Sequence, residues 1–218
     1  MKPLNLKIEK KFWRKNFLVV GIDEVGRGAL AGPLTIAAVC YSPEVLKNSH
    51  QERFLINDSK KISSNIRERL ARWIKNHCLI FTIKSVTHKT IDKKGIVFAF
   101  EKGVREVVKK ITQKINHQKL VILIDGFFVK KLDCQFKDKV ILQQALINGD
   151  GRCFSIASSS IIAKVHRDRL MTRLSKKYSI FHFEKNKGYG TKEHFKALKR
   201  YGLCQIHRHC YLKRLYRD

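Results

Sequence analysis

Apolar residues along this chain fall into short runs of strand length, separated by stretches with helical spacing. Phe17-Leu-Val-Val-Gly-Ile22 is a continuous apolar run that reads as a buried strand ending in Asp23-Glu24. A Gly-rich turn follows, and residues 34–41 read as a second strand. Residues 63–77 place Ile66, Leu70, Trp73 and Ile74 on one helical face, with Ser63 or Ser64 as N-cap. Residues 78–86 predict a third strand, and the stretch from 90 to about 114 a helix. Residues 120–124 form a fourth strand-length run, and it too ends in an acid, Asp125. Beyond it, the spacing predicts a long helix over 156–177 and shorter ones over 192–201 and 206–216. Strands alternating with helices give an α/β fold with one central mixed sheet flanked by helices, plus C-terminal helices. No linker rich in Pro, Gly or Ser and no internal repeat divides it. The chain therefore reads as an N-terminal extension (1–16), one domain (17–190) and a C-terminal helical segment (191–218) packed on that domain.

Charge changes the picture of an ordinary domain. Lys and Arg number 46 against 18 Asp and Glu, a formal net charge of +28. Such a field attracts polyanions, either nucleic acid or an anionic membrane surface, although a basic proteome would produce the same bias. The membrane reading weakens on inspection. The longest weakly polar stretch, 29–40, contains Gly32 and Pro33 and is too short to span a bilayer. The basic first 15 residues lack the apolar run and cleavage site of a secretion signal. Cys40, Cys78, Cys134, Cys153, Cys204 and Cys210 are scattered without disulfide-framework spacing, which favours reduced thiols in a cytoplasm.

In open α/β sheets, active sites gather just beyond the strand ends. Two of the apolar runs end in carboxylates, Asp23-Glu24 and Asp125, and Asp150 stands in Asn148-Gly-Asp-Gly151 just before the long helix. A strand-end Asp on its own more often starts a turn. Several together in so basic a molecule need another reason, because clustered carboxylates repel unless divalent cations reconcile them. All-oxygen ligands suit Mg²⁺ or Mn²⁺ rather than Zn²⁺. A basic protein with an acidic metal pocket matches two-metal phosphodiester hydrolysis.

Gly21-Ile-Asp-Glu-Val-Gly-Arg-Gly28, continued by Ala29-Leu-Ala-Gly-Pro33, closely resembles the N-terminal signature of the ribonuclease HII family. Asn57-Asp-Ser-Lys-Lys-Ile62, Leu123-Ile-Asp-Gly126, Gly149-Asp150, the block 155–168, Lys187-Gly-Tyr-Gly-Thr191 and Ile206-His-Arg208 resemble further family blocks in family order, across about residues 17 to 209. The resemblance implies a ribonuclease H-like fold with 17–190 as the catalytic domain, and it makes Asp23, Glu24, Asp125 and Asp150 the metal-binding catalytic acids. It implies that Gly26, Arg27 and Gly28, with Tyr189, read the 2′-hydroxyl where ribonucleotide meets deoxyribonucleotide, the atom that distinguishes RNA from DNA. Taken alone, Tyr189 between two glycines would read as a turn aromatic. Lys60, Lys61, Lys164 and Lys187 become candidate phosphate contacts, weighed against solvated surface charge.

The implied activity is hydrolysis of the RNA strand of RNA–DNA hybrids, and cleavage at ribonucleotides embedded in duplex DNA, by a two-metal Mg²⁺ or Mn²⁺ site. The products are a 3′-hydroxyl and a 5′-phosphate. The chain is expected to act as a monomer. Asp58 and Asp168 read as structural, Asp168 through ion pairing with Arg167 and Arg169. Ala29 replaces a common Pro of the family pattern, and His209-Cys-Tyr211 departs from it. The latter creates Cys204-Gln-Ile-His-Arg-His-Cys210, a zinc-like cluster whose spacing on one helix does not close a tetrahedral site. Residues 127–146 match the family poorly. A ribonuclease HIII is the nearer rival, but it would lack Arg at position 27, carry Glu as the fourth acid and have an added N-terminal domain. A non-catalytic RNA-binding protein is the other, and it would have no use for four acids in this arrangement.

Overall fold

A computed structural model of the chain describes residues 4–44, 55–56, 62–116, 119–130, 132 and 139–213. The apolar runs become β1 (Leu18–Val25), β2 (Leu34–Tyr41), β3 (Ile80–Val86), β4 (Lys119–Asp125) and β5 (Val140–Leu146). They form one sheet in the order β3-β2-β1-β4-β5. β1 pairs antiparallel with β2 and parallel with β4, so the sheet is mixed, as expected. The helices are α1 (Lys7–Trp13), α2 (Ser64–His77), α3 (His88–Lys114), α4 (Phe154–Ser175), α5 (Phe183–Asn186), α6 (Lys192–Tyr201) and α7 (His209–Leu212). Among the described residues, no helix is long and apolar enough to cross a membrane.

The period of two along a strand divides the core between the two faces. Leu18, Val20 and Ile22 of β1 join Leu120, Ile122 and Ile124 of β4 and Phe100, Val104 and Val107 of α3 in one cluster. On the other face, Val19, Val121 and Leu123 pack with Cys153 and Ile156 at the start of α4. Contact there is close because β1 carries Gly21. A Cβ built at that position would overlap the carbonyl carbon of Ser155.

α1 lies within what the sequence marks as an N-terminal extension, yet it shares the core through Leu6, Ile8, Phe12 and Trp13. Its Glu9 is fully buried, and Oε1 accepts hydrogen bonds from Ser155 N (2.9 Å), Ser155 Oγ (2.8 Å) and Cys153 Sγ (3.1 Å). A carboxylate placed on the free N–H groups at the start of α4 suits the positive end of that helix.

Several expectations need correction. β1 continues through Asp23 and Glu24, because β2 goes on pairing with them (Asp23 with Ala37, Glu24 with Ile36). Ile66 is exposed at 40%, and Ala71 takes its place on the buried face of α2 with Leu70, Trp73 and Ile74. α3 starts at His88 behind Thr87, whose Oγ1 accepts from Thr90 N (3.4 Å), and it breaks at Gly95 with φ 82°. Of the helix expected over 206–216, the described residues show α7, and 214–216 lie outside them. Before it, Ile206 lies in a turn and His207 bridges Ala31 in extended backbone, with Gly32 N donating to Ile206 O (2.9 Å) and Arg208 N to Leu30 O (2.8 Å).

Candidate active site

Asp23 and Asp125 stand near the ends of neighbouring parallel strands, whose paired register runs to Ile22 opposite Ile124. Their parity matches that of Val19 and Leu123, which points both toward α4. Asp150 reaches the same place from the one-turn helix Gly149–Gly151, entered through Asn148 at φ 52°. Gly149 N donates to Asp125 Oδ1 at 2.6 Å and ties that turn to the end of β4. Asp23 and Asp150 are buried and Asp125 half-buried, and one carboxylate oxygen from each lies within 4.8 Å of the others. Among the described residues this is the only group of three or more His, Cys, Asp or Glu side chains so placed.

Electrostatics follow from that crowding. Burial, then the charges of Glu24 and Asp125, hold the Asp23 carboxyl well above the usual carboxylate range, with a Ser160 hydroxyl partly offsetting them. Glu24, one residue on, points to the other face of the strand. Burial raises it too, against the pull of Arg27, whose Nη1 donates to Glu24 Oε1 at 3.3 Å. The Arg27 guanidinium carbon sits 4.1 Å from the ring centre of Phe127, so the cation is held between an acid and an aromatic face.

The loop from Gly26 to Pro33 is locked by two fully buried arginines. Arg167 of α4 donates to the carbonyls of Pro33 (3.1 Å), Lys187 (2.8 Å) and Ala31 (3.1 Å). Arg208 donates to those of Gly32 (3.0 Å) and Arg27 (2.9 Å). Gly26, at φ 93°, is required twice, because a Cβ there would also overlap Arg167 Nε. Gly28 differs. It is exposed, and a Cβ there would meet no protein atom within 4 Å. Gly188 O accepts from Leu30 N (2.7 Å) and Ala31 N (3.2 Å), which brings Tyr189 beside this loop, its ring centre 5.3 Å from the Arg167 guanidinium.

The candidate lysines fare differently. Lys60 and Lys61, like Asp58, lie outside the described residues. Lys164 pairs with Asp168 at 3.2 Å, and Lys187 Nζ donates to Thr172 Oγ1 (2.9 Å) and Glu184 O (2.6 Å), so both are engaged with protein partners. Asp168 therefore pairs with Lys164 rather than with its neighbouring arginines, of which Arg169 binds Glu68 and Arg167 the loop carbonyls. His207 leaves the zinc-like cluster altogether, since its ring bonds to His194 and to the backbone of Cys204.

Arg167, Arg208, Ser160, Phe127 and His194 contribute to this region without having been read as site residues, although Ser160 and Arg167 lie in the block 155–168 and Arg208 in Ile206-His-Arg208. One signal was available for Arg167. Ser160, Ala163, Arg167 and Met171 lie on a single buried stripe of α4, and a cation at a buried helical position must have fixed acceptors.

A profile of the ribonuclease HII family matches residues 20–214. A ribonuclease HII of Clostridium botulinum (strain Loch Maree / Type A3) is 42% identical over 197 residues, covering 90% of this chain and 68% of that protein. One from Clostridium tetani (strain Massachusetts / E88) is 42% identical over 204 residues, covering 94% and 70%. Among solved structures, the complex of PCNA with RNase HII from Archaeoglobus fulgidus superposes with a TM-score of 0.71 at 26% identity, over 88% of this chain and 94% of that one.

Proposed function

The chain belongs to the ribonuclease HII family and is an endoribonuclease of the ribonuclease H kind, and from that premise we propose how its residues divide the work. Asp23, Asp125 and Asp150, with Glu24 at the rim, hold two divalent cations, Mg²⁺ or Mn²⁺. The substrates are RNA–DNA hybrids and duplex DNA containing ribonucleotides, cut to leave a 3′-hydroxyl and a 5′-phosphate. The observation that carries this reading is the convergence of three carboxylates within 4.8 Å.

The donor set fits hard cations. It is all oxygen and two of its members are buried. It is also strained without positive charge, since Asp23 is driven toward its protonated form by burial and by the charges of Glu24 and Asp125. Such ions, when bound, supply activation of water and neutralisation of charge developing on the phosphate. The chain supplies the rest. Asp23 gives up the proton that its surroundings favour, and Ser160 supports the resulting carboxylate with a hydrogen bond.

Gly28 presents bare backbone to the outside, where a sugar can approach without meeting a side chain. Arg27, held by Glu24 and Phe127, offers its remaining N–H groups to a phosphate. Tyr189, fixed beside that loop, supplies an aromatic face to the sugar at the junction. The test is cleavage of a labelled duplex carrying one ribonucleotide, titrated with Mg²⁺ or Mn²⁺ and then with chelator. Cleavage at the ribonucleotide, leaving a 3′-hydroxyl and a 5′-phosphate, is expected to appear with the cation and to be lost with chelator. Cleavage insensitive to chelator would remove the metal assignment.

A further inference from the structure

The mechanism leaves one buried polar pair unused. His194, in the first turn of α6, and His207, in the extended segment before α7, are both fully buried. Phe181 and Phe183 enclose them, with ring centres 4.8 Å from His207 for the first and 5.5 Å from His194 for the second. Their Nε2 atoms lie 3.0 Å apart. The outer nitrogens are also engaged, His194 Nδ1 with Tyr189 O at 2.8 Å and His207 Nδ1 with Cys204 N at 2.8 Å.

These partners leave one arrangement of protons. Cys204 N–H can only donate, so His207 Nδ1 accepts and the His207 proton sits on Nε2. That proton is donated to His194 Nε2, which must be bare. The His194 proton therefore sits on Nδ1 and is donated to the Tyr189 carbonyl. Both rings are neutral. Burial and then the adjacent His194 hold His207 down at about 4, with His209 and His88 also disfavouring a charge there, and burial lowers His194 as well. Neither ring has a lone pair to spare for a metal ion.

Each end of this chain of hydrogen bonds lies in a segment that grips the Gly26–Pro33 loop. Next to Tyr189, Gly188 O accepts from Leu30 N and Ala31 N. Next to His207, Arg208 donates from its backbone to Leu30 O and from its guanidinium to Arg27 O. The histidine pair links the two grips directly by hydrogen bonds. An apolar pair, as at neighbouring Leu198 and Met171, would fill the space without fixing the Tyr189 carbonyl.

We propose that His194 and His207 form a proton-ordered bridge that positions Tyr189 against the Gly26-Arg27-Gly28 loop, which makes both histidines positioning residues for recognition of the ribonucleotide. The bridge rests on the reading of Tyr189 given above, and two measurements keep the two apart. The first is ¹⁵N-histidine NMR of the intact, unmodified protein. His207 is expected as the Nε2–H tautomer, neutral from pH 8 to about 5, and His194 as the Nδ1–H tautomer, titrating below its ordinary value. The opposite tautomer at either ring, or titration of either near its ordinary value, would overturn the bridge.

The second measurement is kcat/KM on a single-ribonucleotide duplex and on a continuous RNA–DNA hybrid, for His194→Leu, His194→Asn and Tyr189→Ala. Asn can still donate an amide N–H to the Tyr189 carbonyl, whereas Leu cannot. His194→Leu should lose about tenfold more on the single-ribonucleotide duplex than on the hybrid, in line with the cost of a small misplacement. His194→Asn should recover most of that difference. If Tyr189→Ala is selective in this way and His194→Leu is not, the bridge is overturned. If Tyr189→Ala harms both substrates equally, the reading of Tyr189 fails whatever the tautomers show.

Discussion

Asp125 serves two purposes that an amide can separate. Its Oδ1 accepts from Gly149 N at 2.6 Å, which needs only a carbonyl-type oxygen, while its charge crowds Asp23 and Glu24. Asp125→Asn keeps the first and removes the second. Cleavage should fall below a tenth of the wild-type rate, a barrier increase above ~1.4 kcal/mol. The same variant in chelator should be as stable as wild type or more so, melting about 2 °C higher for each half to one kcal/mol of relieved repulsion. Lower stability in chelator would mean that the charge of Asp125 supports the fold rather than crowding Asp23 and Glu24.

Asp23 adds a pH dependence whose sign can be worked out. Its folded pKa is raised, so the native state holds that proton more tightly than the unfolded chain does. Without cations its contribution to stability therefore declines as pH rises from the usual carboxylate range through the raised value. A bound cation must displace the proton, so the rise in Tm that Mn²⁺ produces should grow as pH rises from the usual carboxylate range through the raised value. Equal rises would show that Asp23 is not part of the cation site. The acids were legible in the sequence because they follow strand-length runs. That Asp23 and Glu24 face opposite ways follows from strand period, once β1 is known to continue past them. Arg167, Arg208 and His194 were not legible, because such residues are mostly exposed or satisfied by unremarkable partners, and burial arises only when distant segments meet.

At the scale of elements, the site depends on how closely α4 lies on β1. Gly21 is where the two backbones meet, and no flexible side chain can yield there, since the overlapping atoms belong to Ser155 and Ile156 backbone. Gly21→Ala should destabilise the fold by about 1–3 kcal/mol or more, seen as a lower midpoint in urea or thermal unfolding. Gly28→Ala is the informative partner, because a Cβ there meets no protein atom within 4 Å. Its stability should stay within ~0.5 kcal/mol of wild type while cleavage falls. Full activity in a stable Gly28→Ala protein would show that nothing approaches the backbone at that point. Elements with strong internal pattern were readable, and α6 has the bounds that its spacing predicts. β5 was not, because it is an edge strand that, among the described residues, is paired with β4 alone in the sheet and mixes buried Ile141 and Leu146 with exposed Val140 and Leu142, so no clean alternation results. The break at Gly95 and the burial of Glu9 were likewise invisible, since one glycine in a helical pattern is commonplace and Glu9 is buried by Ser155, 146 residues away.

The whole molecule sets +28 of net charge around a pocket of carboxylates, and these two features have separate consequences for the substrate. The pocket repels phosphate unless cations fill it, whereas the surrounding field draws a polyanion in from every direction. Affinity for a non-cleavable duplex should therefore fall steeply with salt, log K decreasing linearly with log salt by about 0.9 for each phosphate neutralised. A flat dependence would mean that the charge is incidental to the substrate. Within that slope Arg27 can be isolated, because it is held by Glu24 and Phe127 and its proposed contact is with a phosphate. If it forks onto a phosphate, Arg27→Ala should weaken binding and reduce the slope by about one. If it serves chiefly to hold Glu24, the variant should lose cleavage while the slope of binding stays at the wild-type value. Measuring both slopes in Ca²⁺, a hard oxygen-seeking cation offered here in place of the active ones, keeps the pocket neutralised in each protein. Any difference between the slopes then belongs to Arg27 and not to changed repulsion from the acids.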